Sequence, residues 1–416
     1  MNLPLPEHAP RSGFPLVDGR LMVNGVPLQA VAERAGRTPF YVMDRGALCS
    51  RVALLRQHLP ADLRLHYAMK ANPHAAVLGV LVPLVDGIDV ASEGEMRSAL
   101  QAGALPAHVS FAGPGKREAE LHAAVAAGIL VNVESARELP LLQQAARAQG
   151  RPARVALRLN PDFELKGSGM RMGGGAKPFG VDVEQAPAVL QAMGEPGLAF
   201  EGFHVYAGSQ NLQAAALLEA QRLSLALVER LAVHAPCAPR HLNLGGGFGI
   251  PYFPGEQPLD LAALGQGLQT VVAQAQRRFE GVEVAIELGR YLVGEAGLYV
   301  TRVLDRKVSG GQVFLVVDGG LHHHLAASGN FGQVIRKNYP VAVVAAQPPD
   351  GGVEVETELV SVTGPLCTPL DLLADRMRLP RAHPGDFVVV FQSGAYGASA
   401  SPQAFLGHPP PVELLV

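Results

Sequence analysis

The sequence predicts an α/β protein in which a (β/α)8 barrel is joined to an antiparallel β domain. Three observations carry that expectation. Over the first two thirds of the chain, short β-rich runs alternate with Ala/Leu-rich stretches of helical composition or spacing. After Arg290 the texture changes to β-branched runs separated by Gly, Pro and Asp, with few helical segments between them. Polar residues of chemical interest recur where the barrel strands end, on the face that builds the active site in such barrels.

Barrel strands are expected near Leu65–Ala68, Gly87–Val90, Val109–Phe111, Ile129–Val133, Val155–Leu159, Phe200–Val205, His241–Leu244 and Glu283–Glu287. Between them, Ser92–Ala102, Glu118–Ala127 and Leu212–Val233 read as helices. The β domain is expected from Tyr299–Leu304, Val313–Val317, Val341–Ala345, Val353–Val362 and Phe387–Phe391, with Leu16–Val26 and Pro39–Val42 joining it. Residues 347–352, Gln-Pro-Pro-Asp-Gly-Gly, read as an exposed hairpin loop. The resulting division is a barrel over 44–290 and a β domain built by 1–43 and 291–416. No internal repeat or low-complexity tract interrupts it.

The chain carries 34 basic and 37 acidic residues, a net charge of −3, with no single-sign block. That balance argues against nucleic acid or an anionic membrane as the main partner. No run approaches the apolar length of a spanning helix, and the N-terminus has no signal-peptide pattern. Three cysteines, Cys49, Cys237 and Cys367, form no CxxC pair and no disulfide framework. A cytoplasmic protein with free thiols is expected.

Lys70 ends the alternating run Leu63–Met69, where a buried strand opens into a loop. Burial there disfavours the ammonium and favours the free amine that attacks an aldehyde to form a Schiff base. A surface lysine with a snorkelling stem is the bland alternative. Asp89, Arg158, His204, Gly245–Gly247 and Glu287 fall at or just after the ends of other strands. The Asn243–Gly249 loop follows a strand, and its glycines let backbone N–H groups approach an anion such as a phosphate; a plain tight turn reads equally well. Ile250 breaks the dinucleotide fingerprint, and Gly173–Pro178 lacks the residues of a P-loop. Glu287, with Arg290 three residues on, would keep a facing pyridine nitrogen protonated, or form an ordinary surface ion pair. His204 would stack on such a ring, or serve structurally. Cys367 lies in a turn-like setting, and Tyr396 in a Gly-rich turn. In a strand, His322, His323 and His324 would alternate faces, and with no third ligand evident no metal site is expected.

Taken in order, these motifs resemble the pyridoxal-phosphate decarboxylases of the alanine-racemase-like fold, the family of ornithine, diaminopimelate and arginine decarboxylases. They are Tyr67–Asn72, Asp89–Glu95, His204 with Ser209, Gly245–Gly247, Glu287-x-Gly289-Arg290, Gly364-Pro365-x-Cys367 with Asp371, and Gly394–Tyr396. The resemblance spans about Pro39 to Ser401. It implies a fold type III enzyme using pyridoxal 5′-phosphate, with two active sites shared across a homodimer. By position, Lys70 would form the Schiff base, His204 would stack on the ring and Glu287 would pair with its nitrogen. Gly245, Gly246, Gly247, Ser209, Arg290 and Tyr396 would bind the phosphate or lie close to it. Asp89 and Arg158 would support the ring and lysine, and Cys367 of the partner subunit would reprotonate the carbanion after CO2 leaves.

The departures concern the substrate. Thr368 stands where relatives acting on diamines carry an acid for the distal ammonium; Asp318 and Asp371 are the remaining candidates to contact substrate. Residues 321–333 replace the Arg-Pro segment of diaminopimelate decarboxylases, and Tyr206 and Ala207 are two extra residues between His204 and Gly208. These features look more like the branch that decarboxylates an aminoacyl group on a carrier protein, as in butirosin assembly, and like the decarboxylases of exosortase gene clusters. The expected substrate is therefore an amino acid tethered to an acyl carrier protein or otherwise extended. Diaminopimelate or another free diamino acid is the alternative. A racemase would set an arginine against the pyridine nitrogen, whereas Glu287 withdraws electrons fully. An inactive regulatory relative would be expected to lose Lys70 or Cys367, and about 125 residues beyond Arg290 disfavour a small cofactor carrier.

Overall fold

The computed structural model describes residues 7–10, 13–167, 169–331, 333, 335–347 and 356–416. The chain divides into two compact units. One is drawn from Met1–Cys49, Pro251–Pro258 and Leu292–Val416, the other from Ser50–Ile250 and Leu259–Tyr291.

The second unit is a closed barrel of eight parallel strands. They are β1 (Leu63–Ala68), β2 (Gly87–Val90), β3 (Val109–Phe111), β4 (Leu130–Val133), β5 (Ala153–Asn160), β6 (Leu198–Val205), β7 (His241–Gly246) and β8 (Glu283–Leu288). Each pairs with the next, and β8 returns to β1 through Val284↔Leu63 to Leu288↔Tyr67, closing the ring. All eight expected strands are present; β4 begins one residue later than expected, and the other ends that differ are extended by one or two residues. The runs are legible because strands buried on both faces are mostly apolar: in the fully buried β2, β3 and β4 a single polar residue, Asp89, Ser110 or Asn132, interrupts each run. A short strand not expected from the sequence, Val181–Asp182, adds in parallel to the end of β5.

The helices between strands begin where side chains replace missing backbone partners. Ser92 accepts the N–H of Glu95 and starts Glu93–Gln101, while the Glu95 carboxylate reaches back to the N–H of Ala91 at 2.7 Å. Asp260 accepts the N–H of Ala263 and starts Leu261–Arg278. Glu118–Ala127 is a helix over the expected range, and Ala214–Leu231 is slightly shorter than expected. Among the described residues no helix is long and apolar enough to cross a membrane.

In the other unit the sheet runs Val341–Val344, Phe387–Val390, Gly297–Ser309, Gln312–Val317, Thr357–Thr363, Leu372–Pro380. Phe40–Met43 pairs with Gly297–Ser309 on one side and with Val412–Leu415 on the other. Its core gathers Phe14, Leu28, Val31, Phe40, Val42, Leu298, Val300, Phe387 and Val389.

Three expectations change here. The sheet is mostly rather than wholly antiparallel: Gln312–Val317 pairs in parallel with Thr357–Thr363, and Phe40–Met43 with Val412–Leu415. The run Leu16–Val26 is three short strands, Leu16–Val17, Arg20–Val23 and Val26–Pro27. Asp18-Gly19 and Asn24-Gly25 divide it, with positive φ at all four residues (48°, 71°, 47° and 78°), the backbone of two-residue hairpin turns. Leu372–Pro380 and Val412–Leu415 are additional strands. The hairpin expected at 347–352 lies outside the described residues beyond Gln347, as do 353–355 of the expected strand at 353–362.

Candidate active site

In the barrel unit the structure brings the sequence-predicted residues to one end of the strands. Lys70 lies in the 3-10 turn Met69–Ala71 directly after β1. Its Nζ is 3.9 Å from Oε1 of Glu287, near the end of β8. The premise of a buried lysine does not hold: the side chain is 44% exposed, because the turn swings it out of the strand into the barrel mouth.

Glu287 is also the partner of His204, near the end of β6: Nε2 lies 3.0 Å from Oε2, so Nε2–H donates to the carboxylate, while the buried Nδ1 meets no hydrogen-bond partner among the described residues. Both side chains are buried. Burial pushes the Glu287 carboxyl up, but the His204 hydrogen bond and the charges of Lys70, His204 and Arg158 hold it well below the usual carboxylate range. Glu287 is therefore a fixed buried anion.

Asp89, on β2, is held through Oδ1 by His66 Nδ1 at 3.2 Å and by the Ser110 hydroxyl, while its buried Oδ2 meets no hydrogen-bond donor among the described residues. Arg158, on β5, donates to Glu134 at 2.8 Å, and Glu134 also accepts the backbone N–H of Gly113 and of Gly180. Beside this pair lies a second buried one: Lys116 Nζ is 3.2 Å from Glu138, with both side chains 1% exposed. Burial pulls the Lys116 amine down and pushes the Glu138 carboxyl up, each partly offset by the other. Sequence reasoning missed His66, Glu134 and Glu138. The available signal for Glu134 was its place immediately after β4, the strand-end position that marked Lys70.

The glycine loop is dictated sterically. Gly245 and Gly247 have φ of +70° and +80°. A Cβ on Gly246 would fall 2.1 Å from the carbonyl oxygen of Glu287. Asn243 Oδ1 accepts the N–H of Gly245 at 2.9 Å, and the Gln210 side chain donates to the carbonyl of Ile250 while accepting its N–H. Ser209 adjoins the loop, since a Cβ on Gly247 would lie 2.5 Å from the carbonyl of Gly208. Arg290 opens the short helix Arg290–Val293 two residues after β8.

The remaining candidates lie in the β unit. Cys367 is exposed, with Thr368 beside it; the Thr368 hydroxyl oxygen accepts the N–H of Leu370 at 3.3 Å. Tyr396 takes a positive φ of 55° in its Gly-rich turn, with its ring 6.1 Å from that of Phe331. Asp318 and Asp371, expected to contact substrate, each accept hydrogen bonds from their own unit. Asp371 is buried and accepts the N–H of Leu321 at 2.6 Å and of Leu366 at 2.8 Å, one on each oxygen. Asp318 accepts the hydroxyls of Thr301 and Thr38 and the N–H of Arg302. His322–His324 occupy a turn rather than a strand. His324 accepts the N–H of Ala327 at Nδ1 and pairs with the Ser393 hydroxyl at Nε2; no group of three metal-binding side chains occurs among the described residues.

A lysine amine at the strand ends to bond an aldehyde, a buried anion to hold a proton on a ring nitrogen, and a glycine loop with no room for side chains are together what a phosphorylated pyridine aldehyde requires. The crowding at Gly246 and the unsatisfied Asp89 Oδ2 are the observations that the residues fit such a group.

Residues 45–294 match the family model described as pyridoxal-dependent decarboxylase, pyridoxal binding domain. The chain is 39% identical over 385 residues to an L-glutamyl-[BtrI acyl-carrier protein] decarboxylase of Niallia circulans, covering 91% of this chain and 88% of that protein. It is 32% identical to a diaminopimelate decarboxylase of Aquifex aeolicus, covering 92% and 88%. Among solved structures, a diaminopimelate decarboxylase from M. jannaschii in co-complex with L-lysine superposes with a TM-score of 0.87 at 26% identity, covering 98% of this chain and 93% of that one. The matched segment contains the lysine, the histidine–carboxylate pair and the glycine loop, so site and sequence agree that the chain belongs to the pyridoxal-dependent decarboxylases and that its cofactor is pyridoxal 5′-phosphate.

Proposed function

We propose that the protein removes the α-carboxylate of an aminoacyl group presented on an acyl carrier protein, or of a similarly extended amino acid. The observation that carries this reading is the fate of the acids in the β unit. Thr368 replaces one, and Asp318 and Asp371 each already accept hydrogen bonds from donors of their own unit. None of these three positions offers a free carboxylate to a distal ammonium. A charge-assisted bond of that kind is worth about 1.5–3 kcal/mol, so lysine, ornithine and diaminopimelate lose their main anchor. The relative that acts on a glutamyl group held by a carrier protein supports the same reading.

Bound cofactor supplies an electron sink for the C–C bond that breaks. Lys70 is the amine that carries it. Glu287, kept anionic and aimed by His204, would hold a proton on the ring nitrogen, and His204 would stack on the ring. Gly245–Gly247, Ser209 and Arg290 receive the phosphate, with Tyr396 close to it. Asp89 and Arg158 orient ring and lysine. Cys367 from a second copy of the chain holds at Sγ the proton that returns to the α-carbon, which makes the working unit a homodimer.

CO2 release from free glutamate, lysine, ornithine, meso-diaminopimelate and an L-glutamyl carrier protein tests the substrate. The carrier-bound group is expected to turn over best. Efficient conversion of free meso-diaminopimelate to lysine would overturn the reading and favour a biosynthetic diaminopimelate decarboxylase.

A further inference from the structure

The two residues after Val205, the insertion between His204 and Gly208, have separate partners within the barrel unit. The Nζ of Lys70 lies 5.7 Å from the centroid of the Tyr206 ring, within range of an ammonium–π contact. The ring fits because residue 245 is glycine: a Cβ there would come 3.2 Å from Cδ2 of Tyr206 and 3.3 Å from its Cα. Ala207 fastens the insertion. Its carbonyl accepts the N–H of Met172 and of Gly173, each at 3.1 Å. Beyond it, Gly208–Ser209 pairs antiparallel with Met170–Arg171, and Gly169 donates to the carbonyl of Ser209 at 3.0 Å.

We propose that Tyr206 is a positioning residue for Lys70, its ring forming a wall that holds the ammonium in place, with Ala207 anchoring that wall to the 169–173 segment. The role rests on Lys70 being the amine that carries the cofactor. Glu287 at 3.9 Å and the electron-rich ring face both favour the charged amine. Together they park the side chain whenever it is not bonded to the cofactor. Removing the ring removes one contact that favours the charged amine, so the free amine becomes available at lower pH.

The test uses apoprotein. Wild type, Tyr206→Phe, Tyr206→Leu and a variant carrying pentafluorophenylalanine at position 206 are mixed with pyridoxal 5′-phosphate across a pH series. Borohydride then traps the adduct, and peptide mass spectrometry quantifies it at Lys70. Tyr206→Phe should superimpose on wild type. Tyr206→Leu should reach its half-maximal rate at lower pH, with adduct forming about two- to fivefold faster on the acid limb, the change expected for an exposed cation–π contact. The fluorinated ring keeps the shape but reverses the quadrupole, so it should follow leucine. Superposition of the leucine and fluorinated profiles on wild type would overturn the proposal, as would a shift in Tyr206→Phe as large as in Tyr206→Leu. Absence of any Lys70 adduct in wild type would overturn the assignment of Lys70 itself, and this role with it.

Discussion

Nε2 of His204 lies 3.0 Å from Oε2 of Glu287, and this contact is the largest of those that keep the buried carboxylate charged. A buried glutamate left alone would favour its neutral form; with His204 donating and Lys70 and Arg158 nearby, it stays anionic. An anion facing a pyridine nitrogen keeps that nitrogen protonated, which is the electronic setting for loss of CO2.

Glu287→Ala should therefore slow the chemical step by about 2.7–4 kcal/mol, a hundred- to a thousandfold, while the glycine loop still retains the cofactor. Single-turnover CO2 release and the cofactor absorbance of the purified variant check the two parts. Near-normal turnover would show that electron withdrawal does not run through Glu287.

The buried pairs beside Arg158 should matter for stability. Glu134→Gln leaves the Arg158 guanidinium without its anion and should cost about 3–5 kcal/mol in urea unfolding. Lys116→Met should cost a similar amount by stranding Glu138, which lies 3.2 Å away. The double variant Lys116→Met/Glu138→Leu should recover much of that loss, because neither charge then remains buried alone. Additive losses in the double variant would contradict the pairing.

His241, packed 5.7 Å from His66, is pulled down to about 3 by burial first, then by His66, His204 and Arg154. Its ordinary value is 6.5, so between pH 6.5 and about 3 the unfolded chain binds a proton that the folded chain refuses. The stability associated with neutral His241 is complete above pH 6.5 and falls as the pH drops towards 3. His241→Leu should flatten the dependence of unfolding free energy on pH over that window, whatever its effect on absolute stability. His324, also held near 3 by burial, keeps the residual slope above zero.

If the working site draws Cys367 from a second copy, two inactive proteins should complement. Mixing Lys70→Ala with Cys367→Ala under conditions of subunit exchange should restore up to about a quarter of wild-type activity by statistical pairing of subunits. Mass spectrometry of the mixed dimers confirms the exchange. No recovery after confirmed exchange would contradict a shared site.

Much of this was legible in the sequence, for reasons that differ by element. The barrel strands announced themselves because two-sided burial demands mostly apolar runs, and Lys70, His204 and Glu287 because they stand at strand ends. Leu372–Pro380 did not, since Asp375, Arg376 and Arg378 interrupt it; its burial alternates along its second half, and the run reads as polar. The parallel pairing of Gln312–Val317 with Thr357–Thr363 depends on a connection, not on composition. The hydrogen bonds that Asp318 and Asp371 accept were not visible, since some come from far along the chain: Leu321 donates to an aspartate fifty residues away. A carboxylate in a turn looks the same in sequence whether it meets a ligand or a backbone N–H. Glu134 escaped notice because no motif surrounds it, although it follows β4 directly.

The most direct measurement is the identity of the lysine that holds the cofactor. Borohydride reduction of the holoenzyme followed by peptide mapping should place the adduct on Lys70, and Lys70→Ala should abolish it. An adduct on Lys177 or Lys116 instead would contradict the site assignment built on the ends of β1, β6, β7 and β8.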